Sequence, residues 1–142
     1  MSDFPIVPIT DEAIAPVLDL NNLNAAELSW LDGPRLTELV DRAFHARRIG
    51  NLDAFLLAFD QDADYDSPNF LWFRQRYPRF VYVDRIVVAE SARGRGLARK
   101  LYEDLFAAAA RAGHEQVVCE VNAEPPNPAS DAFHAALGFR AV

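Results

Sequence analysis

The spacing of hydrophobic residues along this chain changes repeatedly between a strand pattern and a helix pattern. Apolar and β-branched runs predict strands at 5–9, 52–60, 80–88 and 116–121, and we expect 139–142 to begin one more. Apolar residues three or four positions apart predict helices at 11–20, 34–47, 69–77, 97–112 and 128–137. The alternation predicts a mixed α/β domain with helices flanking a twisted sheet.

Local features place several of these elements. Prolines in the strand at 5–9 confine it to an edge of the sheet, because proline cannot donate a ladder hydrogen bond. The strand at 52–60 is apolar on both faces, which predicts cover on both sides. Thr10, Asp32 and Ser67 precede predicted helices and are expected to cap them.

Length and composition indicate one domain over residues 1–142. Hydrophobic residues make up 51% and charged residues 25%, and the only cysteine, Cys119, lies in an apolar run and is expected to be buried. The first residues do not resemble a signal peptide and no apolar run approaches a membrane span, so we expect a cytoplasmic protein without a membrane partner. A net charge of −7 argues against nucleic acid and favours cationic partners such as amines.

The acidic stretch after the strand at 52–60 does not fit a metal loop. An EF-hand would need glycine in place of Tyr65 and glutamate in place of Leu71. Two interpretations stay open for this stretch, a solvated loop and an acidic rim that attracts a cationic acceptor. His45 and His114 look peripheral, and we expect no metal site. The acidic residues are Asp60, Asp62, Asp64 and Asp66.

The turn at 93–98 carries the most specific chemistry. It follows a β-branched strand and opens a helix, and it reads Arg-Gly-Arg-Gly-Leu-Ala. Unpaired amides at a helix N-terminus bind anions, glycines allow close approach, and Arg93 and Arg95 add positive charge. A dinucleotide fingerprint fits poorly because Arg99 stands where a small residue is needed, and no Gly-Lys-Ser/Thr of a Walker A loop follows.

Two stretches resemble signatures of the GNAT N-acyltransferase superfamily. The turn at 93–98 resembles the Arg/Gln-x-x-Gly-x-Gly/Ala turn that binds the pyrophosphate of coenzyme A in that family. The stretch 127–139 resembles its second signature, Asn-x-x-Ala/Ser-x-x-Phe-Tyr followed by Gly-Phe, except that His134 replaces the tyrosine. The resemblance implies the GNAT fold, a mostly antiparallel sheet flanked by helices, and acetyl transfer from acetyl-CoA to an amine by direct attack on the thioester.

The resemblance also implies which residues bind acetyl-CoA. The amides of the turn would bind the pyrophosphate, and the backbone of the preceding strand would pair with the pantetheine arm. Asn127 either contacts the cofactor or only caps its helix, and Asn122 is an alternative contact for the arm. The residues so assigned are Val87, Val88, Arg93, Gly94, Arg95, Gly96, Leu97, Ala98, Asn122, Asn127 and Ser130.

Acetyl transfer further needs a base for the amine and an acid for the leaving thiolate. Asp84 stands where many family members carry a glutamate that acts through water, and Glu120 is the second candidate. A structural ion pair with Arg85 would also explain Asp84. His134 is the candidate acid, since imidazole carries a proton near neutral pH, although packing alone is the alternative.

Several alternatives stay open at this stage. A non-catalytic acyl-CoA sensor or assembly module would keep the glycine turn without the three titratable residues. The segment 21–30 either covers the acceptor, as the corresponding segment does in the family, or simply connects two helices. The acceptor could be a small amine or a protein or peptide amine. GNAT domains usually continue beyond the position of Val142, so we expect a missing last strand, whose absence leaves an edge for more chain or for a homodimer partner.

Overall fold

The computed structural model of the protein describes residues 5–24, 30–50, 53–119 and 128–139. It contains five strands: β1 (Ile6–Pro8), β2 (His45–Ile49), β3 (Ala54–Asp60), β4 (Val81–Val88) and β5 (Val117–Cys119). It contains five α-helices: α1 (Ile14–Leu23), α2 (Gly33–Arg42), α3 (Pro68–Arg76), α4 (Leu97–Arg111) and α5 (Pro128–Ala136). A single 3₁₀ turn precedes α1, and another precedes the glycine turn.

The strands form one sheet in the order β1-β2-β3-β4-β5. Neighbouring strands are antiparallel except β4 and β5, which are parallel. The proline-containing β1 lies at an edge, as predicted, and β3 lies in the middle, with 54–59 fully buried. The predicted fold class, a mixed α/β domain with a mostly antiparallel sheet, is confirmed.

Helices cover both faces of the sheet, and each face has its own apolar core. The first, which we call the α3-side core, joins β3 and β4 to α1, α2 and α3, with Leu36, Phe59 and Phe70 at its centre. The second, which we call the α4-side core, joins the other face to α4 and α5 and includes Leu101, Tyr102 and Leu105. A residue on β4 therefore reaches one core or the other according to the direction of its side chain.

The predicted helix at 34–47 is wrong in its second half. Asp32 caps α2 as expected, with its carboxylate accepting from the amide of Arg35 at 2.8 Å, but the helix ends at Arg42 because Ala43 adopts an extended conformation. The following residues form β2, which pairs with β1 on one side and β3 on the other. Hydrogen bonds along both edges outweigh the modest helix propensity of this segment.

Other local predictions had mixed outcomes. The helix predicted at 69–77 is present as α3, between β3 and β4. Thr10 and Ser67 make no side-chain cap hydrogen bond, contrary to expectation. Cys119 is only half-buried. The predicted final strand falls mostly on 140–142, which lie outside the described residues.

Candidate active site

The glycine turn presents a set of unpaired amides. Gly94 and Gly96 both adopt positive φ angles, 83° and 73°, which glycine accepts without strain. Gly96 is the N-cap of α4, and the first amide bonded within the helix is that of Lys100, to the Gly96 carbonyl at 3.1 Å. Within the described residues, the amides of 97–99 have no backbone acceptor. A Cβ at either glycine would meet no atom within 4 Å, so the turn faces open space.

Positive charge surrounds these amides. The side chains of Arg93, Arg95 and Arg99 are all exposed. The Arg93 guanidinium is 3.3 Å from the Val88 carbonyl and 3.5 Å from Oδ1 of Asn24, so it links the end of β4 to the end of α1. Unpaired amides, the positive end of the helix dipole and three arginines together suit a phosphate or pyrophosphate.

Within the described residues, β5 pairs with the first three residues of β4. Residues 81–83 of β4 lie opposite residues 117–119 of β5, and the last of these pairs joins Val83 to Cys119. From residue 84 to 88, β4 keeps β3 on one side and has no strand on the other among the described residues. These residues of β4 lead directly to the glycine turn.

Asp84 directly follows the last described pair between β4 and β5. Leu57 pairs with Arg85 and Ala58 pairs with Val83, so Asp84 is the extra residue of a β-bulge. Its Oδ1 accepts from the Tyr65 hydroxyl at 2.6 Å, and its Oδ2 accepts from Nε of Arg85 at 2.7 Å. The side chains of Asp84 and Arg85 are each 5% exposed. The predicted structural ion pair with Arg85 is therefore present.

The hydrogen bonds of Arg85 continue to the last turn of α1. Arg85 also donates from its guanidinium to Oδ1 of the fully buried Asn21, at 2.9 Å. Asn21 donates to Asn22, which is bonded in both directions to the backbone of Leu31. These hydrogen bonds connect Asp84 to the segment 21–30, which was predicted either to cover the acceptor or to connect two helices.

His134 lies on the opposite side of the sheet, in contact with α4. Its Nε2 is 3.0 Å from the hydroxyl of Tyr102, which belongs to the α4-side core. Tyr65, the partner of Asp84, packs against the α3-side core. The partners of the candidate base and the candidate acid therefore belong to opposite faces of the sheet.

Burial changes the proton affinity of both tyrosines. Burial and the neighbouring Asp84 carboxylate raise the pKa of Tyr65. Burial, with a smaller contribution from Cys119, raises the pKa of Tyr102. Both hydroxyls therefore remain protonated throughout the neutral range and can act as hydrogen-bond donors.

Comparison with known families agrees with this geometry. The model of the acetyltransferase (GNAT) family matches residues 30–139. This chain belongs to the GNAT acetyltransferase family. No curated protein matches the chain.

Solved GNAT-like structures share the fold at low identity. An acetyltransferase of Trypanosoma brucei superposes with a TM-score of 0.71 at 19% identity, covering 99% of this chain and 94% of that one. The aminoglycoside N-acetyltransferase AAC(6')-Iy in complex with CoA gives 0.72 at 20%, covering 100% and 91%. A ribosomal-protein-alanine N-acetyltransferase from Brucella melitensis biovar Abortus 2308 gives 0.64 at 22%, covering 99% and 91%.

The described part of this GNAT chain includes most, but not all, of the predicted site. Asp84, Val87 and Val88 lie on β4, the turn residues join β4 to α4, and His134 lies on α5. Leu97 and Val87 are buried, so only their backbone groups can contact a ligand. Ser130 lies in α5, and its side chain is not among those described. Glu120, Asn122 and Asn127 lie outside the described residues.

Sequence reasoning missed the partners of the titratable residues. Nothing in the local pattern marks Tyr65, Tyr102 or Asn21, because each meets its partner only through the fold. His45, expected to be peripheral, is buried and bonded through Nε2 to Asp104 at 2.7 Å. The only sequence feature that could have indicated the burial of His45 is its position between the apolar residues Phe44 and Ala46.

The acidic stretch is partly neutralised. Asp64 and Asp66 pair with Arg42 and Arg35 on α2, at 3.8 and 3.4 Å. Among the described residues, no group of histidine, cysteine or carboxylate side chains could hold a metal ion. In the same part of the chain, no helix is long and apolar enough to cross a membrane.

Proposed function

We propose that this GNAT protein transfers an acetyl group from acetyl-CoA to an amine by direct attack on the thioester. The single observation that carries this proposal is the glycine turn, where unpaired amides at the N-terminus of α4 and exposed arginines directly follow β4. A ligand with a pyrophosphate at one end and an extended amide-containing arm at the other suits this turn and the strand before it. The assigned contacts on the turn and at Val87 and Val88 follow from it.

The reaction forms a bond between the amine nitrogen and the acetyl carbon and breaks the bond between that carbon and sulfur. The amine must lose a proton, and the thiolate must gain one. In this proposal Asp84 takes up the proton of the amine, and His134 supplies the proton of the thiolate. The two hydrogen bonds and the burial of Asp84 restrict it to acting through a water molecule. Glu120 remains the alternative base.

The acceptor class is proposed from charge. A protein of net charge −7 with an exposed Asp62 in its acidic loop attracts cationic molecules. Two of the similar structures are named for acetylation of an aminoglycoside and of ribosomal-protein alanine. We therefore propose a cationic small-molecule amine or a peptide amine as the acceptor.

A non-catalytic acyl-CoA-binding module is the second candidate. The engagement of Asp84 with Arg85 and Tyr65 favours it, because a carboxylate held by two donors fits a structural role. Such a module would bind acetyl-CoA through the same turn but would acylate no amine.

The deciding experiment measures CoA release from acetyl-CoA across a panel of amines. The panel should contain an aminoglycoside, a polyamine and a peptide with an N-terminal alanine, and each acetylated product should be confirmed by mass. We expect turnover with at least one amine. Tight binding of acetyl-CoA without acetylation of any amine would instead support the binding module.

A further inference from the structure

Tyr102 and His134 form a hydrogen-bonded pair, and the proposed reaction gives a role only to His134. Tyr102 is 1% exposed, and its hydroxyl lies 3.0 Å from Nε2 of His134. The two rings meet edge to face, with centroids 5.7 Å apart. Phe133 and Phe139 each contact both rings.

Packing alone does not explain a hydroxyl at this position. A phenylalanine would fill the same space among the aromatic rings, and a buried hydroxyl without a partner costs about 1–3 kcal/mol. The thiol of Cys119 also interacts with the hydroxyl, but a thiol is a weak hydrogen-bonding group. The hydrogen bond to Nε2 of His134 offsets that cost, and it gives a reason for a tyrosine instead of a phenylalanine at position 102.

Tyr102 also connects His134 to the helix that presents the glycine turn. It lies five residues after Leu97, about 7.5 Å along the axis of α4 at a rise of about 1.5 Å per residue. The hydrogen bond from Tyr102 therefore fixes the imidazole of His134 relative to α4, the helix whose first amides are unpaired.

The chemistry of the pair separates the roles of the two side chains. A hydroxyl can donate to the bare Nε2 of a neutral imidazole, and after rotation it can accept from the Nε2–H of an imidazolium. Burial raises the pKa of Tyr102, so the phenol keeps its proton while the imidazole gains or loses one. Tyr102 is therefore suited to orienting the imidazole, and His134 is suited to transferring a proton.

We propose that Tyr102 is a positioning residue for His134. Its hydroxyl oxygen accepts from Nε2–H and fixes the orientation of the ring, so the imidazolium gives up the proton on Nδ1 and is left as the neutral Nε2–H tautomer. The inference rests on the proposed function, in which His134 protonates the leaving thiolate. It adds a residue on α4 that acts through His134 and need not touch the substrate.

Kinetics provide the first test. Tyr102→Phe removes the hydroxyl and keeps the ring, and we expect kcat to fall about tenfold or more with little change in the KM for acetyl-CoA. Phe106→Leu is the matched control, because Phe106 packs against the Tyr102 ring and its side chain cannot form a hydrogen bond to His134. We expect this control to change kcat by less than about twofold.

A double variant shows whether Tyr102 acts through His134. In the His134→Phe background, Tyr102→Phe should have no further effect on kcat, because the group it positions is gone. An equal fall in both backgrounds would overturn the proposal, and so would an equal fall in Phe106→Leu.

Nitrogen NMR of the imidazoles tests the pair without any turnover. With His134 assigned by comparison with His134→Phe, the wild type should show the Nε2–H tautomer at high pH, and Tyr102→Phe should shift it toward Nδ1–H. An unchanged spectrum, or an Nδ1–H tautomer in the wild type, would contradict the proposal. If no amine is acetylated, the proposed function fails while this measurement still decides the tautomer.

Discussion

Asp84 and Arg85 are neighbours in sequence, yet their side chains form an ion pair on one face of β4, with Nε of Arg85 2.7 Å from Oδ2 of Asp84. Consecutive residues of a regular strand point to opposite faces. The bulge at Asp84 removes that alternation, because Leu57 and Ala58 of β3 pair with Arg85 and Val83 and skip the residue between them. The irregularity therefore places the carboxylate and its counter-charge on the same side of β4.

We expect a large loss of stability when Asp84 is removed from its ion pair with Arg85. Asp84→Asn leaves the guanidinium of Arg85 buried without its counter-charge, and we expect a loss of about 3–5 kcal/mol in the free energy of unfolding. Urea denaturation followed by circular dichroism measures it. Glu38→Gln is the control, because Glu38 pairs with Arg35 and Arg42 at the surface and should cost about 1 kcal/mol or less. Equal losses in both variants would contradict this prediction.

The hydrogen bond from Tyr65 to Asp84 predicts a smaller effect. Tyr65→Phe removes a donor to a charged acceptor, which is worth about 1.5–3 kcal/mol. We expect urea denaturation to show that loss and acetyl-CoA binding to persist, since Tyr65 lies on the face away from α4. A variant as stable as the wild type would show that the bond contributes little.

The two buried tyrosines predict a loss of stability at alkaline pH. Their folded-state pKa values are raised, so above pH about 10 the unfolded chain releases protons that the folded protein retains. Stability should therefore fall as the pH rises through and beyond that value. Unfolding free energies measured between pH about 8 and about 11 should fall less steeply in Tyr65→Phe and in Tyr102→Phe than in the wild type. Slopes equal to that of the wild type would assign the alkaline loss to other groups.

His45 predicts a loss of stability in the acid range. Burial lowers its pKa, opposed by the bond to Asp104, so below pH about 6.5 the unfolded chain binds a proton that the folded protein resists. Stability present above that pH should fall as the pH drops toward the lower folded-state value. His45→Gln should flatten this slope between pH about 6.5 and about 5. An unchanged slope would place the acid sensitivity elsewhere.

The glycine turn predicts how acetyl-CoA stabilises the protein. At about 100 times its dissociation constant, the ligand should add roughly 2.7 kcal/mol and raise the melting temperature. Gly96→Val should abolish most of this increase, because its side chain would enter the open space in front of the amides. Gly113→Val is the matched control, since it imposes the same strain of a positive φ at the other end of α4. An equal increase in both variants would exclude the turn as the ligand site.

The sequence by itself determined those elements that depend only on residues close together in the chain. The apolar run of β3, the helical spacing of α4 and the glycines at 94 and 96 each follow from spacing, burial or backbone freedom within a few positions. Those features were sufficient to predict the fold class and the glycine turn. The resemblance of 127–139 to the second signature located α5 and His134.

The tertiary structure decided what depends on distant contacts. β2 is a strand because β1 and β3 bond to both of its edges, which outweighs a helical pattern. Arg85 meets Asn21 across 64 positions, and Tyr102 meets His134 across 32. A hydrogen bond between residues so far apart leaves no periodic signal in the sequence, since only the packed sheet and helices bring the two groups within bonding distance.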